Sequence, residues 1–175
     1  MKRFFTKIRV PAGWIYFILL VVTGNIKNPG YLIWGLILIF TGEFIRTISA
    51  GVIKKNQIIS SEGIYGIVRH PLYFGSCLMG LGFAVFVNNP VVWIYFLVFF
   101  TATYISAIKS EEEYLLNKFG EAYRKYQKDV PCFFPVSNIF SGNYRRSFSF
   151  SRFKENHEYK NWFIILIVLI ILFLK

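Results

Sequence analysis

From Pro90 to Ile108 the chain runs for nineteen residues without one charged side chain. In helical form such a segment nearly spans the roughly 30 Å hydrocarbon core of a bilayer, for which about 20 apolar residues suffice. A second long run, 31–53, is broken by only two charges, Glu43 and Arg46. Three shorter apolar stretches cover 10–23, 72–87 and 162–174. The first and last of these are short, so each needs local bilayer thinning, flanking aromatics or a partial insertion. With 55% hydrophobic and 17% charged residues, a soluble chain of 175 residues could not hide its apolar surface. A disordered chain, a coiled coil and a collagen-like fibre are excluded as well. The fold predicted is all-α, a polytopic membrane helix bundle of about five transmembrane helices with a cytoplasmic amphipathic extension.

The charges orient this bundle. Net charge is +11, from 20 Lys and Arg against 9 acids. A basic excess can serve nucleic acid or a membrane surface, and the hydropathy selects the bilayer, so no nucleic-acid partner is expected. With the N-terminus in the cytoplasm, the basic residues of 1–9, 51–71 and 109–160 all fall on that side. Only Lys27 and Lys175 fall opposite, which is the positive-inside pattern for five crossings. The basic start at 1–9 is not followed by a small-x-small cleavage site, so the first stretch reads as a retained helix. The chain then divides into a membrane domain over 1–135, a basic polar linker over 136–160 and a C-terminal hydrophobic anchor over 161–175. Two cysteines, Cys77 and Cys132, are too few for a disulfide scaffold or a closed zinc site, and no metal is expected.

Asn88-Asn89-Pro90 predicts a tight helical hairpin, Asn closing one helix and Pro opening the next. No Gly or Pro interrupts 91–119, so the second arm should reach about 45 Å and project past the membrane. Beyond it Leu115, Phe119, Tyr123 and Tyr126 share one helical face, opposite Lys118, Glu121, Arg124, Lys125 and Lys128.

Two polar motifs lie near the ends of these arms. Arg69, His70 and Pro71 stand at the cytoplasmic entrance of the third stretch, with Tyr73 and Gly75 in its first turn. Gly75 lets another backbone or a ligand come close. Simple anchoring by Arg69, with an interfacial His and Tyr, is the plain alternative. The second motif is Glu111-Glu112-Glu113, three acids in a basic region. Glu113 reads as a solvated helix end, whereas Glu111 and Glu112 can face the third helix. Pro71 lies eighteen residues before Asn89 and Ile108 eighteen after Pro90, so the two motifs share one depth. They should form a cytoplasm-facing pocket roofed by Tyr123, Tyr126 and Phe134. Within the second stretch, Glu43 and Arg46 stand at i, i+3, where mutual pairing competes with a functional role. Cys77 reads as packing, Cys132 as an incidental thiol and His157 as a solvated linker residue.

Together these stretches resemble the isoprenylcysteine carboxyl methyltransferase and phospholipid methyltransferase superfamily of integral membrane enzymes. The resemblance runs from about Gly35 to Pro135. It rests on Gly63 and Tyr65, on Arg69-His70-Pro71-Leu72-Tyr73-Phe74-Gly75, and on the hairpin. It continues through the acids before Leu115, Phe119-Gly120, Tyr123, Tyr126 and Val130-Pro131-Cys132-Phe133-Phe134-Pro135. The chain departs from the pattern at Ile64, where the family often has Pro, and near Gln57, where it often has His. Those positions bear on the acceptor more than on the cofactor.

The resemblance implies S-adenosylmethionine as cofactor, held on the cytoplasmic side by Tyr65, Arg69, His70, Pro71, Tyr73, Gly75, Glu111, Glu112, Glu113, Tyr123 and Tyr126. Carboxylates and Tyr faces suit its cationic groups, and Arg69 and His70 suit its carboxylate. It implies catalytic roles for Arg46 and Glu112, with Arg46 meeting an anionic group of the acceptor. The expected reaction is methyl transfer to a lipophilic acceptor, the carboxylate of a prenyl-cysteine-like or other small lipid-soluble substrate entering from the bilayer. Phospholipid amine N-methylation is the nearest alternative. A membrane reductase using NADPH and a non-enzymatic membrane protein are the others. The last apolar stretch lies outside the resemblance, so ending the chain after Pro135 is expected to leave cofactor binding intact.

Overall fold

The computed structural model of the chain describes residues 2–24, 29–54, 58–135 and 148–175, with residues 2–10 as backbone. Lys27, Gln57 and the 136–147 part of the expected linker lie outside these residues. Every regular element described is helical. The first two helices are α1 (Lys2–Thr23) and α2 (Pro29–Val52). A single tight turn, Gly63–Gly66, precedes α3 (Pro71–Val87). Then come α4 (Pro90–Phe119), α5 (Glu121–Asp129), α6 (Phe150–Glu155) and α7 (Tyr159–Phe173).

The hairpin between α3 and α4 forms as its residues dictate. Asn88 takes the left-handed conformation at φ 46°. Asn89 accepts the Val91 amide at 2.9 Å, and Pro90 opens the helix. α4 continues unbroken for 30 residues, with one wide π turn at Phe96–Phe100. It stops at Gly120, whose φ of 55° no L side chain adopts easily. The amphipathic face expected of one helix is therefore shared between α4 and α5. Leu115, Phe119, Tyr123 and Tyr126 still gather in one apolar cluster, together with Val130 and Ile59.

Glycines set how closely α2 and α3 cross. A Cβ at Gly75 would stand 2.6 Å from the Gly42 carbonyl oxygen. One at Gly82 would stand 2.7 Å from the Ile39 amide nitrogen. Backbone thus lies on backbone, as small residues permit between membrane helices. Gly75 admits α2, and this is the close approach its lack of a side chain serves.

The C-terminal helices join the same body. The described part of the expected linker, 148–160, includes α6, which closes the end of α2. Asn156, Ser149 and Arg152 donate to the carbonyls of Ala50, Gly51 and Val52 at 2.8, 3.0 and 2.7 Å. A helix end leaves such carbonyls without partners of its own. In α7, the expected anchor, Trp162 donates to Thr47 at 3.0 Å. Its Ile165, Val168, Leu169 and Leu172 are buried with Leu20, Ile39, Phe83 and Phe86 in the central cluster.

The bundle is apolar outside as well as within. Trp34 and Phe44 are 65% and 61% exposed, and Ile33, Leu97, Val98, Ile167 and Ile170 are exposed with them. Two helices, Pro29–Val52 and Pro90–Phe119, are long and apolar enough to cross a membrane. Pro11–Thr23, Pro71–Val87 and Tyr159–Phe173 are shorter apolar helices. Water does not tolerate an apolar exterior this large, whereas lipid covers it without cost.

Candidate functional site

Arg69 and His70 lie in the extended approach to α3, and the Val130–Pro135 segment is bound to them. The Arg69 amide donates to the Pro131 carbonyl at 2.9 Å and the His70 amide to that of Cys132 at 3.2 Å. Arg69 Nη1 donates to the carbonyls of Gln127 and Val130 at 2.6 and 3.1 Å, placing a cation at the C-terminal end of α5. Its Nη2 meets Glu112 Oε1 at 2.7 Å. The same oxygen meets His70 Nε2 at 3.2 Å and Cys132 Sγ at 3.8 Å. The basic and acidic motifs therefore do share one depth and touch.

Of the three acids, Glu112 makes these contacts and Glu111 lines the cavity beside them, while Glu113 is exposed. Both Arg69 η-nitrogens are committed within the protein. Its first effect is to fasten the 127–132 backbone beneath α3. His70, Glu112 and Cys132 hold three potential metal ligands within 4.8 Å of one another. The guanidinium on the same carboxylate oxygen already supplies the cation there.

The cavity alongside has a volume of about 800 Å3, within the range of small-molecule sites. Tyr65, Arg69, His70, Pro71, Tyr73, Tyr123 and Tyr126 all line it. Tyr126 donates to the Tyr65 carbonyl at 2.6 Å, fixing the loop over the cavity. The hydroxyls of Tyr65 and Tyr123 are buried with no hydrogen-bond partner in the protein. Burial pushes all three phenols above their ordinary range, so each stays a protonated donor. Gly75 lies outside the lining, at the helix crossing. Phe134, expected in the roof, is 65% exposed and packs its edge toward Phe74.

The opposite wall comes from Arg46 and the C-terminal turn. Arg46 Nη2 meets Glu158 Oε1 at 2.6 Å, and Nε stands 3.6 Å from Glu43. Nη1 contacts Ser76 Oγ and the Leu72 carbonyl. Glu158 is thus the nearer partner, and Asn161 braces it at 2.7 Å. Asn156, His157, Glu158 and Asn161 all line the cavity. The sequence reading missed Glu158 and Asn161 and took His157 for a linker residue. One signal was available: Glu158 is the last acid before the final apolar run, at the depth where Arg46 needs a counter-ion. An apolar cleft of about 100 Å3 between α1, α3 and α4 adjoins the cavity. The two share Gly13, Phe17, Ser76, Met79 and Tyr104.

A helical bundle with an Arg-His-Glu cluster fastened to a Val-Pro segment defines a class of protein. The chain belongs to the phospholipid methyltransferase family, which it matches over residues 30–122. It is similar to the protein-S-isoprenylcysteine O-methyltransferase of Schizosaccharomyces pombe, at 33% identity over 95 residues, 54% of this chain and 40% of that protein. It resembles protein-S-isoprenylcysteine O-methyltransferase B of Arabidopsis thaliana at 34% identity, covering 60% of this chain and 59% of that one. It also resembles the cobalt-zinc-cadmium resistance protein CzcN of Cupriavidus metallidurans at 28%, covering 67% and 54%. The chain thus spans about half the length of these relatives. No solved structure matches it. The C-terminal turn with Glu158 lies outside the family match.

Proposed function

We propose that the chain is an S-adenosylmethionine-dependent methyltransferase acting on the carboxylate of a prenylcysteine-like or other small lipid-soluble acceptor. It works from the cytoplasmic side of a membrane that it crosses five times, N-terminus inside. The observation that carries this is the cavity itself. It has room for the cofactor, and the Arg69–Glu112–His70 cluster forms beside it from the residues that mark the family.

The residues present fit S-adenosylmethionine. Tyr65 and Tyr123 belong to a ring-rich wall and carry phenols with no hydrogen-bond partner in the protein, and Glu111 brings an acid to it. These donors suit the cofactor's hydroxyls and carboxylate, and the acid and rings suit its cationic groups. When bound, S-adenosylmethionine supplies an electrophilic methyl on a sulfonium. Glu112 holds Arg69 and His70 in place, and Arg69 holds the 127–132 backbone that closes the site. Leu115 and Ile59 give the wall an apolar stretch that limits water beside the reacting groups. The apolar cleft receives part of the acceptor's chain, and Arg46, in the cavity wall, contacts Ser76 where cleft and cavity meet. A carboxylate acceptor is already ionised at neutral pH and needs no base, so alignment is the main requirement.

The test uses purified chain in detergent. S-Adenosylmethionine binding is measured by calorimetry and labelled methyl transfer with N-acetyl-S-farnesylcysteine. Binding and transfer are expected. Binding of NADPH in place of S-adenosylmethionine would refute the reading, and transfer to an amine lipid alone would refute the acceptor.

A further inference from the structure

We infer that Glu158 is a specificity-determining residue: its carboxylate occupies the face of Arg46 that an acceptor carboxylate would take, and the acceptor binds by displacing it. The inference rests on the proposed acceptor chemistry and deepens it.

Arg46 is the half-buried cation at the inner wall of the cavity. Its guanidinium contacts Ser76, which also lines the apolar cleft. An amphiphile with its chain in that cleft therefore carries its polar head to Ser76 and Arg46. That position is taken. Nη2 faces Glu158 at 2.6 Å, Nη1 is spent on Ser76 and Leu72, and Nε is turned to Glu43. A second carboxylate arriving at one guanidinium meets like-charge repulsion unless the first withdraws.

Glu43 cannot be the one to withdraw. It is fully buried in mid-α2, one turn from Arg46. Glu158 can, although it too is buried, because it sits at the turn between α6 and α7 and not inside a helix. The residue before it, His157, holds a φ of 56°, which a non-glycine residue adopts only when its surroundings impose it. The contacts of Glu158 with Arg46 and Asn161 are part of what holds that turn.

The test compares a charged and a neutral probe on the whole 175-residue chain and its Glu158 variants in detergent. The probes are N-acetyl-S-farnesylcysteine and its carboxamide. The proteins are the parent and Glu158→Gln, which keeps an amide oxygen for Arg46 but removes the competing charge. Binding is followed through tryptophan fluorescence, so no turnover is needed. Glu158→Gln is expected to bind the carboxylate roughly 5- to 20-fold more tightly, with the carboxamide unchanged. Glu158→Asp, one methylene shorter, should move the same way by less, and it stands in if the Gln variant does not fold. A purely structural ion pair would give weaker binding or none of this selectivity. Unchanged or weakened carboxylate binding overturns the inference, and so does failure of the carboxylate to bind the parent. S-Adenosylmethionine binding is measured separately. Its absence would sink the methyltransferase reading while the probe comparison still decides the role of Glu158.

Discussion

Glu112→Gln isolates the junction on which the site depends. The substitution keeps shape and one acceptor oxygen but removes the charge that faces Arg69 at 2.7 Å and His70 at 3.2 Å. A hydrogen bond to a charged group is worth about 1.5–3 kcal/mol and a neutral one about 0.5–1.5, so two contacts lose about 2 kcal/mol together. Arg69 also keeps a buried charge, only 10% exposed, with no carboxylate beside it. Removing one partner of a fully buried pair costs about 3–5 kcal/mol, and the partial exposure of Glu112 places this case near the lower end. A total of about 3 kcal/mol is expected, or about a 150-fold rise in opening of the 127–132 segment. Hydrogen exchange reads this directly at the Arg69 and His70 amides, which donate to Pro131 and Cys132. S-Adenosylmethionine affinity should fall at least about tenfold in parallel. If those two amides keep their protection while affinity falls, Glu112 touches the cofactor itself and the positioning argument fails. If neither changes, the cluster is incidental.

Other perturbations test separate parts of the structure. Gly82→Ala should lower stability by about 1–3 kcal/mol and Gly82→Val should abolish folding, because the added atoms meet the Ile39 and Gly35 backbones at 2.7 and 2.8 Å; thermal melting in detergent reads both. Burial, followed by the Glu112 charge, holds the Cys132 thiol above its ordinary range. Its alkylation should thus be slow at pH 8, accelerate as pH rises through the raised value, and run faster at pH 8 in Glu112→Gln, as peptide mapping would show. Ending the chain after Pro135 should eliminate cooperative melting, since it removes Ile165, Val168, Leu169 and Leu172 from the core along with Glu158. A truncated chain that melts cooperatively and binds S-adenosylmethionine would contradict this.

That last expectation reverses the one the sequence supports, and the reason is instructive. The hairpin, the long α4 and the meeting of Arg69 with the acids were legible because each is encoded locally or by counting from one turn. Asn88, Asn89 and Pro90 fix the turn, and arms of similar length, equal to Pro71 and Ile108, then bring His70 to Glu112 about one helical turn further along. The place of α7 is not encoded that way. From Trp162 onward its residues are uniformly apolar, so nothing in their order says whether they face lipid or protein. Glu158 reaches Arg46 across more than a hundred residues of chain, through α6 capping three carbonyls of α2. Motif spacing carries no record of such a contact. For the same reason Arg46 looked paired with its neighbour Glu43, when the closer carboxylate came from the far end.

The wide turn at Phe96–Phe100 has a consequence for how such chains can change over evolutionary time. A π turn holds one more residue than the α turn it replaces. Losing a residue there would let α4 close into regular helix with little rotation of what lies beyond, because the wide turn spreads its extra residue over nearly the same angle. Losing one from the regular helix between Thr101 and Glu112 would instead rotate the acid by about 100°. Glu112 would then swing off the Arg69 side of the helix, although every motif residue remained in place. The wide turn is therefore a place where the arm can shed a residue and keep the heading of the acid, and a stretch of apolar residues with no chemistry of its own absorbs the change in length.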